Sequence, residues 1–207
     1  MCPRRGLPAE KGQVFLMIYL IAGCPFSGKT TLARELAHHT KIPCISTDDL
    51  SILFSYYTDF SIFDRGDYYK YYETSSSEKI RQDHLRYQTE MGKMLIHFLK
   101  TKIDQDEDII IEGFAFSPNI ASMLPQEQTR FICLVMSEIL LRQRYHTSIH
   151  LSRKRADRSD FDKKYLEKLF WINNSNHVEC KKLQLPEIMV QDDRSLLLPA
   201  LELLQLP

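Results

Sequence analysis

Gly23-Cys24-Pro25-Phe26-Ser27-Gly28-Lys29-Thr30 decides the reading of this chain. The stretch satisfies the phosphate-binding pattern G-x-x-x-x-G-K-[ST] at every position, and its neighbours are the ones that pattern requires. Before it, Val14 to Ala22 (VFLMIYLIA) is a continuous apolar run, as expected of a parallel strand buried on both faces. After it, Thr31 to His39 (TLARELAHH) has helical composition. Backbone N–H groups in such a loop converge on phosphates, and the helix N-terminus adds roughly half a positive charge. Gly23, Cys24, Pro25, Phe26, Ser27, Gly28, Lys29, Thr30 and Thr31 are therefore the expected nucleotide-binding residues. Lys29 is placed to reach the β- and γ-phosphates, and the Thr30 hydroxyl to complete the shell of a Mg²⁺ ion.

Working outward, short apolar strands alternate with helical segments. Strands are expected at Pro43 to Ser46, Asp108 to Ile111, Arg130 to Met136 and Glu187 to Val190. Helices are expected at Glu78 to Lys102, after Pro118, from Ser137 (as N-cap) through Tyr145, at Lys163 to Cys180, and from Ser195. In the long helix Leu85, Met91, Leu95 and Leu99 fall near a helical period. This alternation predicts an α/β protein: a three-layer α/β/α fold with a five-stranded parallel sheet and a helical lid. Residues 1–12 read as a flexible tail and 13–207 as a single domain, with the lid at about 146–162.

Composition narrows the function classes. Lys plus Arg and Asp plus Glu both total 27, so no global field favours nucleic acid or an anionic membrane. Hydrophobic content of 43% and aromatic content of 11% are those of a globular domain with a full core. Five dispersed cysteines without a C-x-x-C pair suggest free thiols and a cytoplasmic location. No apolar run approaches the 20 or so residues needed to span a bilayer.

The strand ends indicate the chemistry, because ligands gather at the carboxyl ends of strands in such sheets. Ser46-Thr47-Asp48-Asp49 follows the second strand. Asp48 is the preferred base for a phosphoryl acceptor's hydroxyl proton, with Asp49 second or a metal ligand; alternatively the aspartates only cap the next helix, Asp49 standing before Leu50. Glu112, before Gly113 at the end of the third strand, is the expected acidic partner of the metal. Arg142, Arg144, Arg153, Lys154, Arg155 and Arg158 cluster after the fourth strand. Arg144 is the candidate that meets charge developing on the γ-phosphate, whereas the others read more simply as a solvated face. His146 and His150 are spaced i, i+4 but lack a third ligand. Tyr68, Tyr69, Tyr71 and Tyr72 around Lys70 read as packing under an acceptor flap or as a protein contact, with base stacking the alternative. Gln191-Asp192-Asp193 lie where a nucleobase is contacted or where a helix is capped. The Asn173-Asn174-Ser175 sequon carries no expected role.

GCPFSGKTTLARELA, STDDL, IIIEGFAFSP and FICLVMSEILLRQRY, with DKKYLEKLFWI adding weaker support, resemble the small-metabolite P-loop kinases, nearest to the 2-phosphoglycerate kinase group. The G-C-P-x-S-G-K-T opening and paired aspartates are also similar to the kinase domain of polynucleotide 5′-kinases. The resemblance implies ATP and Mg²⁺ as cofactors, transfer to a hydroxyl, and Asp48 as base. Three positions depart from the phosphoglycerate kinase pattern. Ser51 to Ser55 supplies no arginine after S-T-D, Ala115 stands where that group has a histidine, and Leu169-Phe170-Trp171-Ile172 supplies no arginine after K-Y-L-E. Each lost charge-assisted hydrogen bond removes about 1.5–3 kcal/mol of grip on an anion. The expected acceptor is therefore a different, less anionic small molecule, unless Arg65, Arg81 or Arg86 substitutes. A polynucleotide or tRNA kinase and a non-catalytic nucleotide sensor are the alternatives. A monomer or homodimer is expected.

Overall fold

Period-two alternation in β1 (Ile18–Gly23) sends Tyr19 and Ile21 into one apolar layer and Ile18, Leu20 and Ala22 into the other. A strand buried on both faces needs helices on both. The computed structural model describes residues 17–57, 68–105, 107–151, 159–192 and 195–206. The expected tail at 1–12, strand residues 14–16, Arg65, Asp193 and the lid residues Arg153, Lys154, Arg155 and Arg158 lie outside them.

β1, β2 (Cys44–Ser46), β3 (Ile109–Glu112), β4 (Thr129–Met136) and β5 (Glu187–Val190) form one parallel sheet in the order β2-β3-β1-β4-β5. β1 thus sits between β3 and β4. The register sets Ser46 beside Glu112 and Gly23 beside Leu134, so the ends of β1, β2 and β3 face one crevice.

On one face lie α1 (Lys29–Thr40), α6 (Glu138–Leu151), α8 (Leu197–Leu204) and the part of α7 (Ser159–Leu183) that bears Leu166, Leu169 and Ile172. The other face is covered by α2 (Thr47–Tyr57), α4 (Ser77–Asp104) and α5 (Pro118–Ser122), with Cys180 near the end of α7. This is the three-layer α/β/α arrangement of P-loop proteins. The tyrosine-rich stretch becomes the short helix α3 (Tyr68–Thr74), and Ser76 starts α4 by accepting from Lys79 N at 3.2 Å.

The α4 stripe differs from the expected one. Met91, Leu95 and Leu99 are fully buried, but Leu85 is 50% exposed. The buried line continues instead through Tyr87, His84 and Ile80, whose steps of three and four residues keep to one face. Leu85, one residue beyond His84, is rotated by about 100° from it.

Candidate active site

The phosphate loop joins the end of β1 to the start of α1, and its backbone departs from ordinary geometry where the phosphates would lie. Gly28 has φ +95° and Phe26 φ +70°. A Cβ on Gly28 would meet only the Arg144 guanidinium, at 3.8 Å, so the space above the loop amides is open. Gly23 is required for another reason: a Cβ there would come within 2.7 Å of the Leu134 carbonyl oxygen and 2.8 Å of Ser27 Oγ. The loop is folded tightly onto β4.

A cavity of about 580 Å³ opens over this loop, lined by Phe26 through Leu32 with Glu35, Arg144, Ser195 and Leu196. Lys29 is buried and donates from Nζ to the Cys24 carbonyl at 2.9 Å, an intraloop bond that holds its ammonium across the loop. Thr30 Oγ1 donates to Glu112 Oε1 at 3.1 Å, which brings the hydroxyl and the carboxylate of the expected metal site together. Arg144 NH1 donates to the Phe26 carbonyl at 3.1 Å and NH2 to the Asp192 carbonyl at 2.8 Å. It thereby links α6, the phosphate loop and the segment after β5.

Asp48 and Asp49 occupy the first turn of α2, both exposed. They do not serve as the cap, because the helix begins at Thr47 and Ser46 Oγ accepts from Asp48 N at 3.2 Å. Desolvation raises the Asp48 pKa, Lys29 opposes that rise, and Glu112 and Asp49 add to it. Asp48 therefore lies within electrostatic reach of both Lys29 and Glu112.

Thr47 and Gly113 set this relation. Thr47 is fully buried, and a Cβ on Gly113 would fall 1.6 Å from its Oγ1. Only a residue without a side chain at 113 lets the start of α2 rest against the end of β3, two strands' ends from the phosphate loop.

The Cys24 side chain does not line the cavity, which leaves only its backbone to the phosphate loop: it is fully buried, and its thiol donates to Asn173 Oδ1 at 3.7 Å. Burial pushes that thiol up to about 12, so it carries no thiolate for chemistry. Asn173, read as part of an idle sequon, accepts from Met136 N at 2.9 Å and donates to the Met136 carbonyl at 2.8 Å. One α7 side chain thus closes the end of β4 and touches the phosphate loop. Its signal in the sequence is a polar residue adjoining the apolar positions Leu166, Leu169 and Ile172.

The tyrosine cluster is mostly internal. Tyr72 is fully buried against Phe161, Tyr71 OH donates to Asp83 Oδ2 at 2.7 Å, and Tyr69 lies 4.9 Å from the Phe161 ring. Packing, rather than base stacking, accounts for these three; the Tyr68 side chain lies outside the description. His146 is exposed, and no group of three or more His, Cys, Asp or Glu among the described residues could hold a metal alone. Of the substitute cations, Arg81 is half-buried and Arg86 exposed on α4. No helix among the described residues is long and apolar enough to cross a membrane.

No protein-family model and no curated protein matches the chain. Solved structures do. An unliganded sugar kinase from a Janibacter species aligns with a TM-score of 0.54 at 15% identity, covering 92% of this chain and 95% of its own. Shikimate kinase from Acinetobacter baumannii, in complex with shikimate, aligns with a TM-score of 0.50 at 15% identity, covering 93% and 92%. At such identity the likeness is one of fold, and it extends over nearly the whole of both partners. The chain shares the three-layer α/β/α P-loop fold of these two kinases.

Proposed function

We propose that this chain is a kinase that transfers the γ-phosphate of ATP to a hydroxyl of a small molecule, with Mg²⁺ bound. The observation that carries this reading is the convergence of Lys29, the Thr30–Glu112 pair and Asp48 on one crevice. A phosphate loop alone serves hydrolases and switches as well; a carboxylate facing it across the crevice is what a hydroxyl acceptor needs.

The residues fit both cofactors. Lys29 and the open amides of Phe26 to Thr30 suit a triphosphate tail. A hydroxyl with one carboxylate suits Mg²⁺, which takes its remaining ligands from phosphate oxygens and water. Asp49 is a second carboxylate for that shell. When bound, Mg²⁺ supplies neutralisation of phosphate charge.

Asp48 orients the acceptor hydroxyl and takes its proton as the oxygen attacks phosphorus. A raised carboxyl pKa makes it a stronger base than an ordinary aspartate. Arg144 exchanges the Phe26 or Asp192 carbonyl for phosphate oxygens and meets the charge that develops there.

The test is ADP release against a panel of hydroxylated metabolites and short RNAs. Lys29→Ala should abolish acceptor-dependent turnover with the fold intact by circular dichroism. Asp48→Asn should lower kcat about 10²–10⁴-fold while ATP affinity is retained. Unchanged turnover in Lys29→Ala refutes the proposal. ATP binding without acceptor-dependent ADP release across the panel would favour the sensor alternative.

A further inference from the structure

A second cavity, of about 40 Å³, lies between α4, α7 and the segment after β3. Its polar walls include His84, Gln88, Ser117, Asn176 and Glu179, and Trp171, Leu85 and Ile172 supply apolar ones. That is room for about three water-sized groups. Two of its wall residues carry buried polar atoms with no protein partner: both ring nitrogens of His84, which is 1% exposed, and Oε2 of Glu179. Buried groups of this kind are nearly always satisfied, so three orphaned atoms on residues that line one space point to something that fills it.

We infer that this chamber binds the hydroxyl-bearing end of an uncharged polyol, which on the kinase reading proposed above is the phosphoryl acceptor. Hydroxyls both donate and accept, as this lining demands. The neutral imidazole offers one N–H and one lone pair, the amides of Gln88 and Asn176 offer both, and Glu179 Oε2 accepts. Trp171 supplies an apolar wall for C–H groups.

The charge of the lining selects against anions. None of the wall residues is a lysine or arginine. Burial, with Lys168 nearby, depresses His84 to about 3, so the ring supplies no cation. Lys168 itself is not in the wall and donates to Tyr72 OH at 2.9 Å. A carboxylate or phosphate entering here would meet Glu179 instead.

The chamber is also placed for an acceptor. His84, Tyr87 and Phe114 form one mutual ring cluster, with centroids 5.8 Å apart for His84–Phe114, 5.4 Å for Tyr87–Phe114 and 6.4 Å for His84–Tyr87. Gln88 Nε2 donates to the Phe114 carbonyl at 3.2 Å. Tyr87 in turn hydrogen-bonds to Ser51 and feels the charge of Asp48. Tyr87 is therefore the side chain that joins His84 of the chamber to the Asp48 end of the crevice.

Trp171 is the chain's single tryptophan, so its fluorescence reads the chamber without turnover. The intact chain is titrated with glycerol, erythritol and xylitol, and with the acids glycerate and xylonate. A saturable change with a neutral polyol and none with its acid is expected, and the same polyol should stimulate ADP release. His84→Phe keeps a ring against Phe114 but removes both nitrogens, and should raise the half-saturating polyol concentration tenfold or more. Glu179→Gln keeps the shape and should admit xylonate, which tests the inference independently should His84→Phe not fold. Silent fluorescence with every polyol, an equal response to the acids, or unchanged behaviour in both variants overturns it. ADP release with an anionic acceptor and a silent Trp171 would defeat this inference and leave the kinase reading standing. Saturable polyol binding with no ADP release would defeat the kinase reading instead.

Discussion

Gly113→Ala should disable this protein through geometry rather than chemistry. The new Cβ would fall 1.6 Å from Thr47 Oγ1, 2.7 Å from its Cβ and 2.9 Å from its Cγ2. Ordinary contact begins near 3.4 Å, so the threonine must retreat by about 1.8 Å. Thr47 is fully buried and is the first residue of α2, so rotating its side chain into solvent is no remedy. The helix start must move, and Asp48 moves with it. Overpacking of this kind costs about 1–3 kcal/mol in stability. For a chain of this size each kcal/mol corresponds to about 2–4 °C, so a fall in Tm of about 2–12 °C is expected. Displacing a base by an ångström or more costs roughly 10²-fold in rate. Lys29 and the loop amides are untouched, so ATP affinity should change much less than kcat. Thr47→Ala in the same chain removes the two contacts made by Oγ1 and Cγ2 and should restore part of both losses. The assay is acceptor-dependent ADP release beside thermal unfolding and ATP binding. Wild-type turnover and melting in Gly113→Ala, or no recovery in the double variant, would refute the reasoning.

Three further outcomes follow from particular contacts. Asp49→Asn removes one of the charges that raise Asp48. The acid limb of the kcat/KM profile, on which activity rises as Asp48 loses its proton, should then move to lower pH, and a limb that stays or moves upward contradicts the assignment. Asn173→Ala strands the buried N–H and carbonyl of Met136, at about 1–3 kcal/mol each. Tm should fall by at least about 4 °C; a fall of less than a degree would show that Asn173 does not hold β4. Lys168 is buried and its pKa is lowered to about 8 by desolvation, below the unfolded value of 10.5. Between those values the unfolded chain holds the extra proton, so this residue's contribution to stability rises with pH from 8 to 10.5. Urea unfolding across that window should show wild type gaining on Lys168→Met; parallel curves would contradict the buried ammonium.

The architecture and the phosphate loop were legible because both are encoded locally. Tyr19 and Ile21 alternate with Ile18, Leu20 and Ala22 within six residues, and the glycines that shape the loop stand five apart. Helix starts were less legible. Asp49 is expected as a cap where Ser46 takes that place, and Leu85 as a core residue where His84 does, because propensity and periodicity do not register which side chain finds a partner. Histidine in an apolar stripe reads as a surface residue until Phe114, Tyr87 and Trp171 close around it.

A run of eight residues determined by itself that this chain carries a cup for phosphates, since the backbone conformation that forms the cup depends on glycines five residues apart in one short stretch. The order β2-β3-β1-β4-β5, the Thr47–Gly113 contact across 66 positions, the Cys24–Asn173 contact across 149 and the chamber lined by His84 and Trp171 were decided only by the tertiary structure. Contacts between distant residues depend on which helices the sheet brings together, and no local pattern carries that information. The difference between a nucleotide-binding loop and a site with room for a second reactant lies in those distant contacts.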